Sequence, residues 1–296
     1  MSRPPLSANL RGMMLMTVAM FCFASADAVI KVLSATHSNG QIIWIAGIGG
    51  AVVFAIAALV SRQRLMTRDF LAPAVLLRVV TEAVGTIGIV SALSLAPLST
   101  VVAIMQSVPL LVTSGAALFL GEQVGWRRWG AILVGLLGVM IILRPGTDSF
   151  TPGALLAVLA AVCLAGRDLC TRLVPASATN FQLGIWGFLG LIPAGLLLAG
   201  FEAAAPGPFT SAAIAQYVAI TLLTAGAILS ITMAMRVGDV AVVAPFRYTR
   251  LLFGLLLAVL WFGERPDTPT WIGAAIVAGS GLYTFYRERA ARGAPA

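Results

Sequence analysis

One apolar stretch is written twice in this chain. GMMLMTVAMFCFASADAVIKVL runs from Gly12 to Leu33, and GALLAVLAAVCLAGRDLCTRLV begins 141 residues later, at Gly153. Six of the 22 aligned positions are identical: Gly12/Gly153, Leu15/Leu156, Ala19/Ala160, Cys22/Cys163, Ala24/Ala165 and Asp27/Asp168. About two matches would arise by chance in so Ala- and Leu-rich a chain, so the match marks an internal duplication. The correspondence continues through Lys31/Arg172, Asn39/Asn180 and Gln41/Gln182. Each copy is long enough to cross about 30 Å of hydrocarbon as a helix. The expectation is a membrane protein built from two like halves.

Composition agrees with that class. Of the 296 residues, 59% are hydrophobic and 10% charged, against about 25% charged in soluble domains. So few charges cannot cover the surface of a water-soluble fold of this size. The net charge of +8 raises the question of nucleic acid, but no Lys/Arg cluster is interleaved with aromatics, and the bases sit mostly between apolar segments, where they set topology. Cys22, Cys163 and Cys170 all fall inside apolar helices, which argues against a disulfide framework or a metal site. Arg3 and Arg11, an apolar run and Ala24-Ser25-Ala26 imitate a signal peptide. The same pattern recurs in mid-chain, so an uncleaved first helix is expected.

Apolar runs of membrane-spanning length fall at about 11–34, 40–60, 70–94, 98–119, 127–144, 152–174, 180–200, 211–235, 240–261 and 269–286. No segment keeps the period-2 alternation of a strand. This is an all-α polytopic membrane protein with ten expected transmembrane helices, as one repeat over residues 11–144 and a second over 152–287. With the N-terminus inside, twelve bases are cytoplasmic: Arg3, Arg11, Arg62, Arg64, Arg68, Arg127, Arg128, Arg172, Arg236, Arg287, Arg289 and Arg292. Lys31, Arg144 and Arg265 fall on the other side. The positive-inside rule then places both termini in the cytoplasm. Five helices per copy is an odd number, so the second repeat is inverted. Inverted repeats recur in secondary transporters, because exchanging the conformations of two like halves opens one site to either side.

Gly121-Glu122 and Gly263-Glu264 each follow a span and precede a Trp-bearing helix start. With the ten helices in two halves and the first helix AMFCFASADAVIKVL, they make the chain resemble the EamA family of the drug/metabolite transporter superfamily. Within it the chain looks most like the bacterial amino-acid exporters of YddG type, which implies aromatic amino acids as substrate and the bacterial inner membrane as location. Many members carry a base in the second helix shortly after its Trp, whereas Ile45, Ala46 and Gly47 follow Trp44 here.

A charge amid lipid costs about 2.5–3.5 kcal/mol on insertion scales, so it faces water, a partner or a substrate. In the third span, Arg78 and Glu82 lie one turn apart. At about 1.5 Å per residue from Leu71, they stand roughly 10 and 16 Å deep. The ninth span has Arg247 and Arg250 beside Tyr248 and after Pro245, and the fourth has Gln106 before Pro109. Registering Gly121 on Gly263 places Gln106 opposite Tyr248. One reading is a wet central cavity in which Glu82 meets an ammonium and Arg247 or Arg250 a carboxylate. The other is an Arg78–Glu82 salt bridge within one helix, with Arg250 reaching for the interface. Asp27/Lys31 and Asp168/Arg172 read either as gates in opposite leaflets or as ion pairs at helix ends. Trp44 and Trp186 could stack a flat substrate or anchor the interfacial belt, where Trp126, Trp129, Trp261 and Trp271 also belong. Gly47-Ile48-Gly49-Gly50 lacks the preceding strand of a dinucleotide loop and reads as close helix packing.

His37 lies in a loop and no Ser or Cys has a His placed to activate it, so no catalytic residue, cofactor or metal is assigned. The reading is an exporter of small metabolites, amino acids first, by alternating access, with Pro109, Pro193 and Pro245 letting helices bend. Efflux of a drug, vitamin or nucleobase is the nearest alternative, and an intramembrane enzyme or a non-transporting scaffold the more distant one. Expected partners are the substrate and the bilayer, with no nucleic acid, in a monomer or weak homo-oligomer.

Overall fold

The computed structural model describes residues 6–147, 150–202 and 206–293. Arg3 of the charge count and residues 203–205 of the Pro/Gly-rich loop at 201–210 lie outside them. The described residues are helices and short connections, with no strand. The helices are α1 (Leu6–Leu33), α2 (Asn39–Val60), α3 (Pro73–Leu95), α4 (Leu98–Met105), α5 (Val108–Phe119), α6 (Trp126–Leu143), α7 (Pro152–Leu173), α8 (Asn180–Phe201), α9 (Ser211–Val237), α10 (Val240–Val243), α11 (Thr249–Phe262) and α12 (Thr268–Gly293). Two 3-10 turns, Arg68–Leu71 and Ala244–Tyr248, complete the set.

Nine spans among the described residues are long and apolar enough to cross a membrane. The tenth, α12, is the most polar, carrying Ser280, Tyr283, Thr284 and Tyr286. The fourth span is not the continuous helix expected. It breaks at Gln106-Ser107, because Pro109 has no N–H to return to Met105 and α5 must start afresh. The ninth breaks at Ala244–Tyr248, where Pro245 plays the same part.

The chain packs as two compact units, each drawing segments from both repeats. One holds residues 29–96 and 151–225. In it α2 and α8 start alike: Ser38 accepts the N–H of Gln41, and Thr179 that of Gln182 in a full capping box. Gln41 exchanges two hydrogen bonds with the backbone of Gly207, beyond the C-terminus of α8. Gln182 donates to the carbonyl of Arg64, beyond the C-terminus of α2, at 2.7 Å. Equivalent residues thus reach past the far ends of each other's helices, so the pair is antiparallel and the repeats are inverted. Glu202, closing α8, accepts the free N–H groups of Asn39 and Gly40 at 3.1 and 2.9 Å, as a carboxylate at a helix N-terminus should. Leu33, Ile42, Ile43, Val90, Leu191, Tyr217 and Ile220 form this unit's core.

The other unit holds residues 1–28, 97–150 and 226–296. Met16, Ala19 and Met20 of α1 pack on Ala227 and Ala234 of α9 and on Val243. α6 meets α12 at Gly138 and Gly273, where a methyl on Gly138 would stand 2.9 Å from the Gly273 carbonyl. The two Gly-Glu pairs do one job twice. Gly121 and Gly263 take left-handed φ of 71° and 62° after α5 and α11. The following glutamate N–H then turns back to the carbonyl of Ala116 or Ala258. The Glu264 carboxylate also accepts from Leu98 N–H, Ser99 N–H and the Ser99 hydroxyl at 2.7–3.0 Å, which caps α4.

Candidate substrate site

Two clusters of intramembrane polar groups stand out, one in each unit. In the unit containing both broken spans, the breaks meet. Gln106 Nε2 donates to the Tyr248 carbonyl at 3.2 Å, joining the two positions that the repeat makes equivalent. Backbone freed by a broken helix is tolerated at membrane depth when protein or a water-filled cavity satisfies it. Tyr248 is buried, with its ring edge-on to Phe285 and its hydroxyl beside Gly281. That hydroxyl has no hydrogen-bond partner among the described residues.

Arg250 and Arg247 differ sharply. Arg250 donates to Asp27 Oδ2 through Nη2 at 2.6 Å and Nε at 3.2 Å, and its guanidinium lies 5.2 Å from the Phe23 ring centre. Asp27 is 5% exposed, so its charge is matched inside the protein. Arg247, in the 3-10 turn, is half-buried and makes no hydrogen bond or ion pair with the described residues. Phe246 packs partly against the core of α1 and α9, and Phe21 stands edge-on to Phe253 at 5.3 Å.

In the other unit, α3, α7 and α8 gather four charges. Arg78 Nη1 stands 3.0 Å from Glu82 Oε2, an ion pair rather than an aligned hydrogen bond. Arg78 also donates to Thr171 Oγ1 and the Leu183 carbonyl, both at 3.0 Å. Arg167 reaches Glu82 Oε1 at 3.4 Å and Asp168 Oδ1 at 2.8 Å. Two bases and two acids cancel, and Gly187 of α8 leaves room for the Glu82 carboxylate.

The remaining residues singled out in the sequence are dispersed. Lys31 donates to the carbonyls of Leu93 and Ala96, at 3.2 and 2.6 Å, and so caps the C-terminus of α3. Arg172 is exposed in the last turn of α7. Trp44 is half-buried near the start of α2, its backbone against Gly195. Trp186 is fully enclosed: its indole N–H points at Met66 Sδ at 3.2 Å, and Phe70 lies edge-on 5.6 Å away. Trp126, Trp261 and Trp271 are exposed, as belt residues would be. Sequence spacing missed Arg167 as a partner of Glu82 and Arg250 as that of Asp27. The signal for the first was an asymmetry, since Arg167 faces Ala26 across the repeat.

Inverted halves with helices broken inside the membrane are the build of a secondary transporter, and the chain is a multi-pass membrane transporter. It belongs to the EamA-like transporter family, whose sequence profile matches it twice, over residues 10–144 and 151–286. It is 36% identical over 216 residues to a riboflavin transporter of Rhizobium johnstonii, covering 72% of this chain and 70% of that protein. An S-adenosylmethionine uptake transporter of Rickettsia felis is 28% identical over 201 residues, 67% of each chain. A pseudopaline exporter of Pseudomonas aeruginosa is 25% identical over 275 residues, 90% of this chain and 93% of that one. A crystal structure with a TM-score of 0.66 covers 98% of this chain and 99% of its own at 20% identity, which shows the fold.

Proposed function

We propose that the protein carries a flat, polar, ring-bearing metabolite of riboflavin's kind across the bacterial inner membrane by alternating access, with both termini in the cytoplasm. The observation that carries this reading is Arg247, a half-buried cation in a broken span with no hydrogen-bond or ion-pair partner among the described residues. The other intramembrane arginines, Arg78, Arg167 and Arg250, have acids. A planar guanidinium offers forked donors to neighbouring carbonyl and ring-nitrogen acceptors and a face for stacking, which suits a flavin-like edge. Tyr248 follows it in the chain, and Gln106 donates to the Tyr248 carbonyl. The 36% identity to a riboflavin transporter supports the same class.

Export of aromatic amino acids, the narrower reading of the sequence, needs a free acid for the ammonium as well as a base for the carboxylate. Glu82 is held by Arg78 and Arg167, and Asp27 by Arg250. That favours an acceptor-rich substrate over a zwitterion.

The test is flux in proteoliposomes, read in both directions with and without a pH gradient, for riboflavin, tryptophan, phenylalanine and S-adenosylmethionine. Saturable riboflavin flux is expected, lowered at least tenfold in Arg247→Ala and partly kept in Arg247→Lys. Tryptophan or phenylalanine flux without riboflavin flux, or full activity of Arg247→Ala, overturns the proposal.

A further inference from the structure

We infer that the segment joining α2 to α3, residues 61–72, is a binding site for one anionic phospholipid. Three arginines fall in it, Arg62, Arg64 and Arg68, all exposed and none hydrogen-bonded or ion-paired through its side chain with the described residues. The segment's one acid, Asp69, accepts from the Thr67 hydroxyl at 3.3 Å. Apolar side chains stand exposed on both sides: Leu59 and Val60 end α2, and Met66 and Leu71 lie within the segment. A cationic strip edged by apolar side chains at the ends of two spans meets a lipid's charge and its first methylenes at once.

The segment is also a built surface rather than a loose loop. Gln182 Nε2 holds the Arg64 carbonyl at 2.7 Å, and the Trp186 indole holds Met66 from beneath, with Phe70 edge-on to it. Arg62 turns the chain with φ of 54°, and the 3-10 turn Arg68–Leu71 leads into α3. Between these anchors lies a recess of about 640 Å³ lined by Arg64, Met66, Thr67, Arg68, Phe70 and Leu71. Its chemistry is that of a phosphodiester headgroup: two guanidinium groups for the oxygens, and an aromatic and two aliphatic chains for the glycerol and upper acyl carbons. Packing of Trp186 beneath the segment couples an occupied recess to α8.

Native mass spectrometry of the detergent-solubilised full chain tests this with added phosphatidylglycerol or phosphatidylcholine. One phosphatidylglycerol is expected to be retained in preference to phosphatidylcholine, and millimolar inorganic phosphate is expected not to displace it. Arg64→Gln/Arg68→Gln should weaken retention about tenfold or more, Arg64→Lys/Arg68→Lys should restore most of it, and Arg127→Gln/Arg128→Gln, the same loss of charge elsewhere, should leave it unchanged. Equal retention of both lipids, displacement by phosphate, an unaffected Gln pair or equal loss in both Gln pairs overturns the proposal.

Discussion

Gln106 and Tyr248 are equivalent positions of the two repeats, and they touch: the Gln106 amide donates to the Tyr248 carbonyl at 3.2 Å. Each sits where a proline has broken its span, so one side chain closes a backbone gap that duplication created twice. Gln106→Leu keeps the volume and removes the donor, leaving a carbonyl short of a partner at about 1–3 kcal/mol. The expected result is a lower thermal midpoint in detergent together with slowed flux. An unchanged midpoint and unchanged flux would show that the contact holds nothing.

Asp27 and Arg250 form a buried pair, with side chains 7% and 16% exposed. Removing one partner of such a pair strands the other at about 3–5 kcal/mol, whereas replacing both with apolar residues is often neutral. Arg250→Met alone should therefore sharply reduce the yield of folded protein. Asp27→Leu/Arg250→Met should recover it, as read by size-exclusion chromatography. Two single variants that both fold normally would argue against a structural pair.

What the sequence disclosed was local. The Asn39/Asn180 and Gln41/Gln182 matches, the Gly-Glu ends and the prolines of the broken spans each lie a few positions from the features they shape, so the repeat exposed them by showing them twice. That Ser38 and Thr179 cap the two helix starts came from the structure. Arg78–Glu82 was legible for the same reason, being one helical turn. Asp27–Arg250 and Arg167–Glu82 join residues 223 and 85 positions apart, and no spacing rule reports on partners brought in from another helix. Asp27 and Lys31 looked like each other's partner along the helix. Arg250 donates instead to Asp27, and the carbonyls at the end of α3 accept from Lys31. The prolines foretold bending, but how far each break extends depends on what satisfies the freed carbonyls, which is tertiary.

Outside the spans, Asp267 has a pH signature. The hydrogen bond from Arg144, helped by those from the hydroxyl and N–H of Thr270, holds its carboxyl well below the usual range. A carboxyl depressed in the folded state contributes stability above its unfolded value, near about 3.9, and loses that contribution as pH falls through the folded value. The difference in thermal midpoint between the wild type and Asp267→Asn should be constant from neutral pH down to about 5 and shrink below about 4. A gap that widened in acid would contradict the assignment.

Gly187 tests the charge cluster of α3, α7 and α8 without altering a charge. A methyl there would collide with Glu82 Oε2 and crowd Arg78 Nη1 at 3.3 Å. Glu82 cannot retreat freely, because Arg78 and Arg167 hold its two oxygens. Gly187→Ala should lower both the thermal midpoint and transport, although alanine favours a helix by about 1 kcal/mol over glycine. Gly200→Ala, in the same helix with nothing within 4 Å of the added carbon, should be neutral or slightly stabilising. Shortening the acid in Gly187→Ala/Glu82→Asp should return part of the loss, since the clash lies at the carboxylate. If Gly187→Ala matched Gly200→Ala in midpoint and flux, the Glu82 carboxylate would not occupy the space this geometry gives it.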